Sequence, residues 1–253
     1  MLYEYPRPVA HRTGIASREP GRPWAYPRAT SRGAQGVAMP PGKRAFDLCV
    51  AAMITPVVLP MILIIALVIL IRDGRPVFFA GERMKTPTQG FRLWKFRTMR
   101  ADPADTGATG GHKSARITPM GRWLRRRRLD ELPQLLNLWR GDVSVVGPRP
   151  PLRLHVERFP DLYGEVLKSR PGLTGLATIL CARHEEWQLA RTKTADETEA
   201  IYARTCAPRK ARIDLIYQRN RSLCFDLAII RGTLVLLARQ AKGAARPPAV
   251  NLR

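Results

Sequence analysis

The feature that most limits how this chain can fold is an apolar run at positions 46–71, "FDLCVAAMITPVVLPMILIIALVILI", which contains one acid, Asp47. A straight helix of this length would reach roughly 39 Å, which exceeds the hydrocarbon core of a bilayer, about 30 Å. The first interpretation is therefore a helix that crosses a membrane.

Two features of the run argue against a simple crossing. Pro56 and Pro60 lie near its middle, where each removes a backbone donor, and the hydroxyl of Thr55 can satisfy a freed carbonyl. Cations, which favour the cytoplasmic side, stand at both ends: Lys43, Arg44, Arg72 and Arg75. We therefore predict a re-entrant membrane helix over 43–72, broken at Thr55-Pro56, that enters and leaves through one leaflet. A spanning helix is the alternative.

The charge balance indicates an anionic partner. Lys and Arg outnumber Asp and Glu by 43 to 20, which gives a net charge of +23 and a pI of about 11.2. Nucleic acid, an anionic lipid surface and a phosphorylated substrate all fit this excess. The four cysteines have no spacing typical of a metal site, so we expect reduced thiols.

The composition divides the chain into four parts. Residues 1–42 predict a disordered basic tail rich in Pro and Arg, without the apolar core of a signal peptide, and Met39 is a second candidate start. The re-entrant helix over 43–72 follows, then a folded domain over 73–240 and a flexible basic C-terminus over 241–253. We expect an α-rich α+β fold, with a few short strands and amphipathic helices at the membrane interface.

Short patterns place elements within the domain. "DGRPVFFAGERM" and "GFRLWKFRTM" predict two strands around the turn-rich "KTPTQG". Residues 224–243 are apolar but interrupted by Asp226 and Arg231, which suits a helix in the membrane interface or one packed on the domain. Both interpretations stay open.

The stretch "RRRRLDELPQL", 125–135, sets four arginines beside Asp130 and Glu131. Because proline is accepted in the first turn of a helix, Pro133 predicts a helix that begins at or near Asp130. The helix start and the arginines are expected to favour an ionised Asp130. Adjacent acids point in different directions, so one can attack a substrate while the other holds a divalent cation. A salt-bridged helix start with a first-turn acid is the alternative.

The stretch "GDVSVVGPRP", 141–150, predicts a short strand that enters a turn. Pro148 and Pro150 fix the backbone on both sides of Arg149, so its guanidinium is presented at a small entropic cost. Such a side chain suits a phosphate or a base edge, and a plain surface turn is the alternative.

Taken in order, these segments resemble the bacterial sugar transferase family, the small monotopic phosphoglycosyl transferases, over roughly residues 43–235. The resemblance is carried by "KRAFDL", Thr55-Pro56 where the family has Ser-Pro, "PVFFAGERM", "FRLWKFRTM", "RITPMGRWLRRRRLDELPQLLNLWRGDVSVVGPRP", "RPGLTGLATI" and "DLIYQRNRSLCFDLAIIRGT". Single pieces are weak signals, whereas the ordered set is highly specific.

The resemblance implies that Asp130 attacks the β-phosphate of a UDP-sugar and releases UMP. Undecaprenyl phosphate then takes the phosphosugar from the aspartate, and Glu131 holds Mg²⁺. The basic residues that would bind phosphates or the nucleotide are Lys95, Arg97, Arg128, Arg149 and Arg183. After "PGLTG" the family usually has an Asn-Gly-Arg stretch, whereas this chain has "LATILCARHEEW", so Arg183 matches only loosely.

The resemblance also implies a location and partners. The enzyme would work on the cytosolic face of the bacterial cytoplasmic membrane, among phospholipids, at the first membrane step of exopolysaccharide, capsule or glycan assembly. A homodimer is compatible with the sequence. The alternatives are a membrane-tethered scaffold of the same fold without activity and a basic nucleic-acid-binding protein. The second leaves the apolar segment unexplained, and neither a helix-turn-helix nor an RNP pattern is evident.

Overall fold

The computed structural model describes residues 39–100 and 111–241. The predicted tail therefore lies outside the described residues up to position 38, and the predicted C-terminal segment lies outside them from position 242. The helices and strands, in chain order, are α1 Pro41–Arg72, β1 Phe78–Met84, β2 Gly90–Phe96, α2 Pro119–Arg126, α3 Leu135–Arg140, β3 Ser144–Val146, α4 Arg153–Arg158, α5 Pro160–Val166, β4 Gly172–Thr174, α6 Leu176–Leu189, α7 Ala195–Ile201, α8 Ala207–Asn220 and α9 Leu223–Ala241. Short 3-10 stretches cover Gly111–Arg116 and Leu129–Gln134, and a π-helical turn, Tyr202–Cys206, joins α7 to α8. The α-rich α+β class is confirmed.

The apolar run forms one continuous helix, α1, with Pro56 and Pro60 inside it. The Thr55 hydroxyl donates to the Ala51 carbonyl at 2.6 Å, one residue before the carbonyl that Pro56 leaves without its usual donor. Trp139 in turn donates its indole N–H to the Thr55 hydroxyl at 3.0 Å. The expected break at Thr55-Pro56 is thus not an interruption of the helix, and the re-entrant path stays a prediction.

The first turns of α1 are fixed to the domain. The Arg44 guanidinium donates to the carbonyls of Leu138 and Trp139, at 2.8 and 2.7 Å, in the last turn of α3. Asp47, fully buried, accepts hydrogen bonds from the Ser144 hydroxyl and the Val145 N–H at 3.0 and 3.1 Å. These contacts tie the beginning of α1 to β3.

The last turn of α1 is fixed to the same domain. Ile69 is fully buried against Phe96 and Leu124. Beyond the helix end, the Arg97 guanidinium donates to the Asp73 and Gly74 carbonyls at 2.5 and 3.0 Å. Both ends of α1 therefore contact one domain, although the helix is 32 residues long.

Among the described helices, α1 and α9 expose the most large apolar side chains. Within the described residues, α1 is the one helix long and apolar enough to cross a membrane, and most of its apolar segment is not buried by the protein. α9 buries Asp226 and Ile229 but exposes Leu227 and Leu234. The interpretation of 224–243 as a helix packed on the domain and the interpretation as a helix in the membrane interface each describe one face of α9. One face packs on the domain, and the other is apolar and exposed. Exposed apolar surface of this kind marks a contact with a membrane or a partner.

Two small sheets place the remaining elements. β1 and β2 form the predicted antiparallel hairpin, in which Arg83 pairs with Phe91 and Phe79 pairs with Lys95. β3 and β4 pair in parallel. The largest group of buried apolar residues joins α1, β2, α3, β3, α8 and α9. This core holds the ends of β2 and β3 close to the segment between α2 and α3.

Candidate active site

The two acids lie in a 3-10 turn, Leu129–Gln134, that connects α2 to α3. Arg128, immediately before it, adopts a left-handed conformation with φ 58°. The predicted helical start near Asp130 is confirmed, although its first turn is 3-10 and the α-helix begins only at Leu135. This helix ends at Gly141, which adopts a left-handed conformation with φ 74°.

Glu131 is the centre of a cluster of charges. Its Oε1 atom accepts from Lys95 Nζ at 2.8 Å and from Arg149 Nη2 at 3.0 Å. Burial works to raise the pKa of Glu131, but Arg149 and Lys95 outweigh it, so the pKa lies well below the usual range for a glutamate. The same carboxylate raises the pKa of Arg149. Three segments far apart in sequence therefore meet at one ionised carboxylate.

The turn that presents Arg149 is held to β4 by two backbone hydrogen bonds. The Gly147 N–H donates to the Thr174 carbonyl, and the Gly172 N–H donates to the Pro148 carbonyl, each at 2.9 Å. A Cβ atom on Gly147 would lie 2.1 Å from the Arg170 carbonyl oxygen, so the close approach requires glycine. The expectation that a fixed backbone presents Arg149 is confirmed.

Asp130 stands apart from the ion pairs. It is 8% exposed, and no side chain in the described ranges donates a hydrogen bond to it. Burial and the neighbouring Glu131 raise its pKa, against the lowering effects of Lys95, Arg125 and Arg128. The expectation that this environment favours ionisation of Asp130 is wrong, because burial costs the charged form more than the arginines return. The two acids do occupy different environments, as predicted.

A pH profile tests this assignment. If ionised Asp130 is the attacking group, kcat/KM for the donor substrate should fall on the acid side through a pKa above the ordinary aspartate value of about 3.9. Below that pKa the rate should drop by about tenfold per pH unit, since only the ionised fraction reacts. A rate measurement from pH 4 to 8 in a constant-ionic-strength buffer checks this. An acid limb at or below the ordinary value contradicts it.

The remaining predicted residues lie in several places. Arg128 pairs with Glu186 at 3.0 Å, and its charge helps to lower the pKa of Glu131 and partly opposes the rise in the pKa of Asp130. Arg97 is not brought into the cluster, because its guanidinium caps the end of α1. Arg183 lies in α6, and its side chain is outside what the structure describes.

Sequence reasoning missed Arg83. The hairpin register sets Arg83 on the same face as Lys95. Arg83 pairs with Phe91, and Phe91 and Lys95 are four residues apart on β2, so their side chains point to the same side of the sheet. Burial and the charge of Arg149 lower the pKa of Arg83 to about 10, while Glu131 opposes this shift. The alternation of side chains along the predicted strand "AGERM" could have indicated this position of Arg83. With Arg83, the cations outnumber the single ionised glutamate, and this surplus suits a diphosphate.

The carboxylates of the site are the ligands that would hold Mg²⁺. Among the described residues no group of three or more His, Cys, Asp or Glu side chains could hold a metal ion by itself. Both ion pairs of Glu131 use Oε1, so Oε2 is left for another ligand. Mg²⁺ is commonly held by one or two carboxylates together with substrate phosphates and water. The carboxylate chemistry therefore fits this ion once a diphosphate is bound.

Comparisons with known proteins show which family this chain resembles. A family model described as bacterial sugar transferase matches residues 39–240. A UDP-glucose:undecaprenyl-phosphate glucose-1-phosphate transferase of Caulobacter vibrioides is 36% identical over 208 residues, 79% of this chain and 73% of that protein. A protein of the same name from Escherichia coli (strain K12) is 34% identical over 192 residues, 74% of this chain but only 38% of the relative. The exopolysaccharide production protein ExoY of Rhizobium meliloti is 33% identical over 238 residues, 87% of this chain and 94% of that protein.

Proposed function

This chain belongs to the bacterial sugar transferase family, and on that premise we propose that it is a phosphoglycosyl transferase. It transfers a sugar 1-phosphate from a UDP-sugar to undecaprenyl phosphate, as the names of the Caulobacter and Escherichia relatives state for those proteins. The observation that carries the proposal is a buried aspartate, to which no side chain within residues 39–100 and 111–241 donates a hydrogen bond, directly beside a carboxylate paired with two cations. A free nucleophile beside a site for anions is what phosphoryl transfer requires.

In the first half-reaction, an Asp130 carboxylate oxygen attacks the β-phosphorus of the UDP-sugar. The bond between that phosphorus and the bridging oxygen breaks, and UMP leaves with the electron pair. The product is a phosphosugar esterified to Asp130. Lys95, Arg149 and Arg83 bind the donor phosphates and stabilise the charge that moves to the leaving group.

In the second half-reaction, a phosphate oxygen of undecaprenyl phosphate attacks the same phosphorus. The bond to Asp130 breaks, and the aspartate leaves as a carboxylate, ready for the next donor. Charge is conserved in each step. In the first, the Asp130 carboxylate replaces UMP on the phosphorus, and in the second, the lipid phosphate replaces the Asp130 carboxylate. Glu131 would hold Mg²⁺, which supplies a positive charge to the phosphate oxygens when it is bound.

The contacts of α1 support an enzyme that stays on one side of the bilayer. A helix that crosses a membrane carries its far end away from the domain by about 30 Å, whereas both ends of α1 are fixed to the same domain. The exposed apolar sides of α1 and α9 would then enter the cytosolic leaflet of the cytoplasmic membrane. Basic residues near this surface suit its anionic phospholipids.

The test is release of UMP from a panel of UDP-sugars by detergent-solubilised protein, with Mg²⁺ and undecaprenyl phosphate. UDP-glucose is the first donor to try, because two of the relatives are named for it. With donor alone, mass spectrometry of the peptide that contains Asp130 should find an added hexose phosphate, which disappears after the lipid is supplied. A folded protein that releases no UMP across the panel would instead support the scaffold without activity.

A further inference from the structure

A pocket of about 160 Å³ lies between the membrane helix and the turn that carries the acids. Ile54 and Val58 of α1 line it, together with Leu135 of α3 and Leu173 of β4. Arg128 and Glu131 contribute its charged groups. The pocket is therefore largely apolar, with charge supplied by the same turn as Asp130.

The pocket is partly open, and its small volume and apolar lining favour a small apolar group. Cavities of about 150 Å³ hold a ligand the size of benzene, whereas sites for drug-sized molecules measure about 300–1,000 Å³. A UDP-sugar is too large and too polar for this space. A branched five-carbon isoprene unit next to a phosphate matches both the size and the lining.

The position of the pocket also favours a lipid. Its α1 wall belongs to a helix whose other side is apolar and exposed, so a chain that lies in the bilayer can reach Ile54 and Val58 without crossing water. Arg128 can meet the lipid phosphate, since its partner Glu186 has a side chain that is 67% exposed. An exposed pair of this kind exchanges readily for another anion.

We propose that this pocket is the acceptor subsite, which receives the first isoprene unit of a polyprenyl phosphate and sets its phosphate against Arg128. The assignment rests on the proposed function, because only the second half-reaction uses the lipid. It separates the two substrates in space, with the donor phosphates on Lys95 and Arg149 and the lipid chain against α1.

The test compares Val58→Phe with Val57→Phe. Both changes add the same volume to neighbouring valines of α1, but Val58 lines the pocket and Val57 is 65% exposed away from it. The first half-reaction is followed without lipid, as exchange of labelled UMP into the UDP-sugar. The second is followed by the KM for undecaprenyl phosphate. Val58→Phe should raise that KM by about tenfold or more and leave the exchange rate within about twofold, whereas Val57→Phe should change neither.

An unchanged acceptor KM in Val58→Phe, or an equal loss in both half-reactions, overturns the acceptor subsite. If Val58→Phe does not fold, Val58→Ala tests the same wall by enlarging it, and it should raise the acceptor KM alone. Wild-type protein that performs no exchange would refute the proposed function itself, which distinguishes that failure from a failure of the pocket assignment.

Discussion

Asp130→Asn should abolish UMP release and leave the protein at least as stable as the wild type. A carboxamide is not a nucleophile, and removal of an attacking side chain in other enzymes reduces kcat by about 10⁴–10⁶-fold. We expect a loss of at least about 10³-fold, measured as UMP release and as exchange of UMP into the donor. The peptide adduct should also be missing.

The effect on stability follows from the burial of Asp130. Its pKa is raised by burial and by Glu131, so the folded protein binds a proton at Asp130 more tightly than the unfolded chain does. Above the folded pKa the ionised group therefore lowers stability, and the penalty disappears as pH falls through that pKa. A neutral asparagine removes the penalty at pH 7, and the melting temperature should stay equal or rise.

The matched control is Asp161→Asn, since Asp161 is exposed in the first turn of α5. It makes the same chemical change outside the site and should leave UMP release and its pH profile as in the wild type. If Asp130→Asn and the wild type release UMP equally, Asp130 is not the nucleophile. A large loss of stability in Asp130→Asn would contradict the view that its charge is unpaired.

Local sequence patterns were sufficient for much of the fold. The hairpin follows from alternation around a turn-rich stretch, the helical start near Asp130 follows from Pro133, and the fixed turn follows from the two prolines around Arg149. Each of these is determined by residues close together in the chain.

Long-range contacts were not predictable in the same way. Nothing near Arg97 in sequence indicates that it caps the end of α1, because its acceptors lie more than 20 residues earlier. The raised pKa of Asp130 likewise depends on burial that comes from the packed domain, and the neighbouring arginines gave the opposite expectation. The resemblance to a family placed Lys95 and Arg149 together, whereas composition and spacing alone could not.

Glu131→Gln is expected to lower both activity and stability. The change removes the carboxylate shared by Lys95 and Arg149 and leaves two partly buried cations close together. Breaking a fully buried pair costs about 3–5 kcal/mol, and the partial exposure of these groups reduces our expectation to about 2–3 kcal/mol. For a protein of this size that corresponds to a melting temperature lower by roughly 4–12 °C. Donor kcat/KM should fall by about 10²-fold or more, because the cations lose the group that orients them.

The pH dependence of this stability loss is the sharper test. The pKa of Glu131 is depressed in the folded state, so its contribution is complete above the unfolded value, about 4.3, and is lost only as pH falls through the folded value. The difference in melting temperature between wild type and Glu131→Gln should therefore be constant from pH 5 to pH 8 and shrink only in stronger acid.

Glu165→Gln, which removes an exposed ion pair with Lys168, is the control and should change stability by less than about 1 kcal/mol. A difference that shrinks between pH 8 and pH 5 would mean that Glu131 is not held ionised by Lys95 and Arg149. In that case the cluster could not serve as the preformed phosphate site on which the donor half-reaction depends.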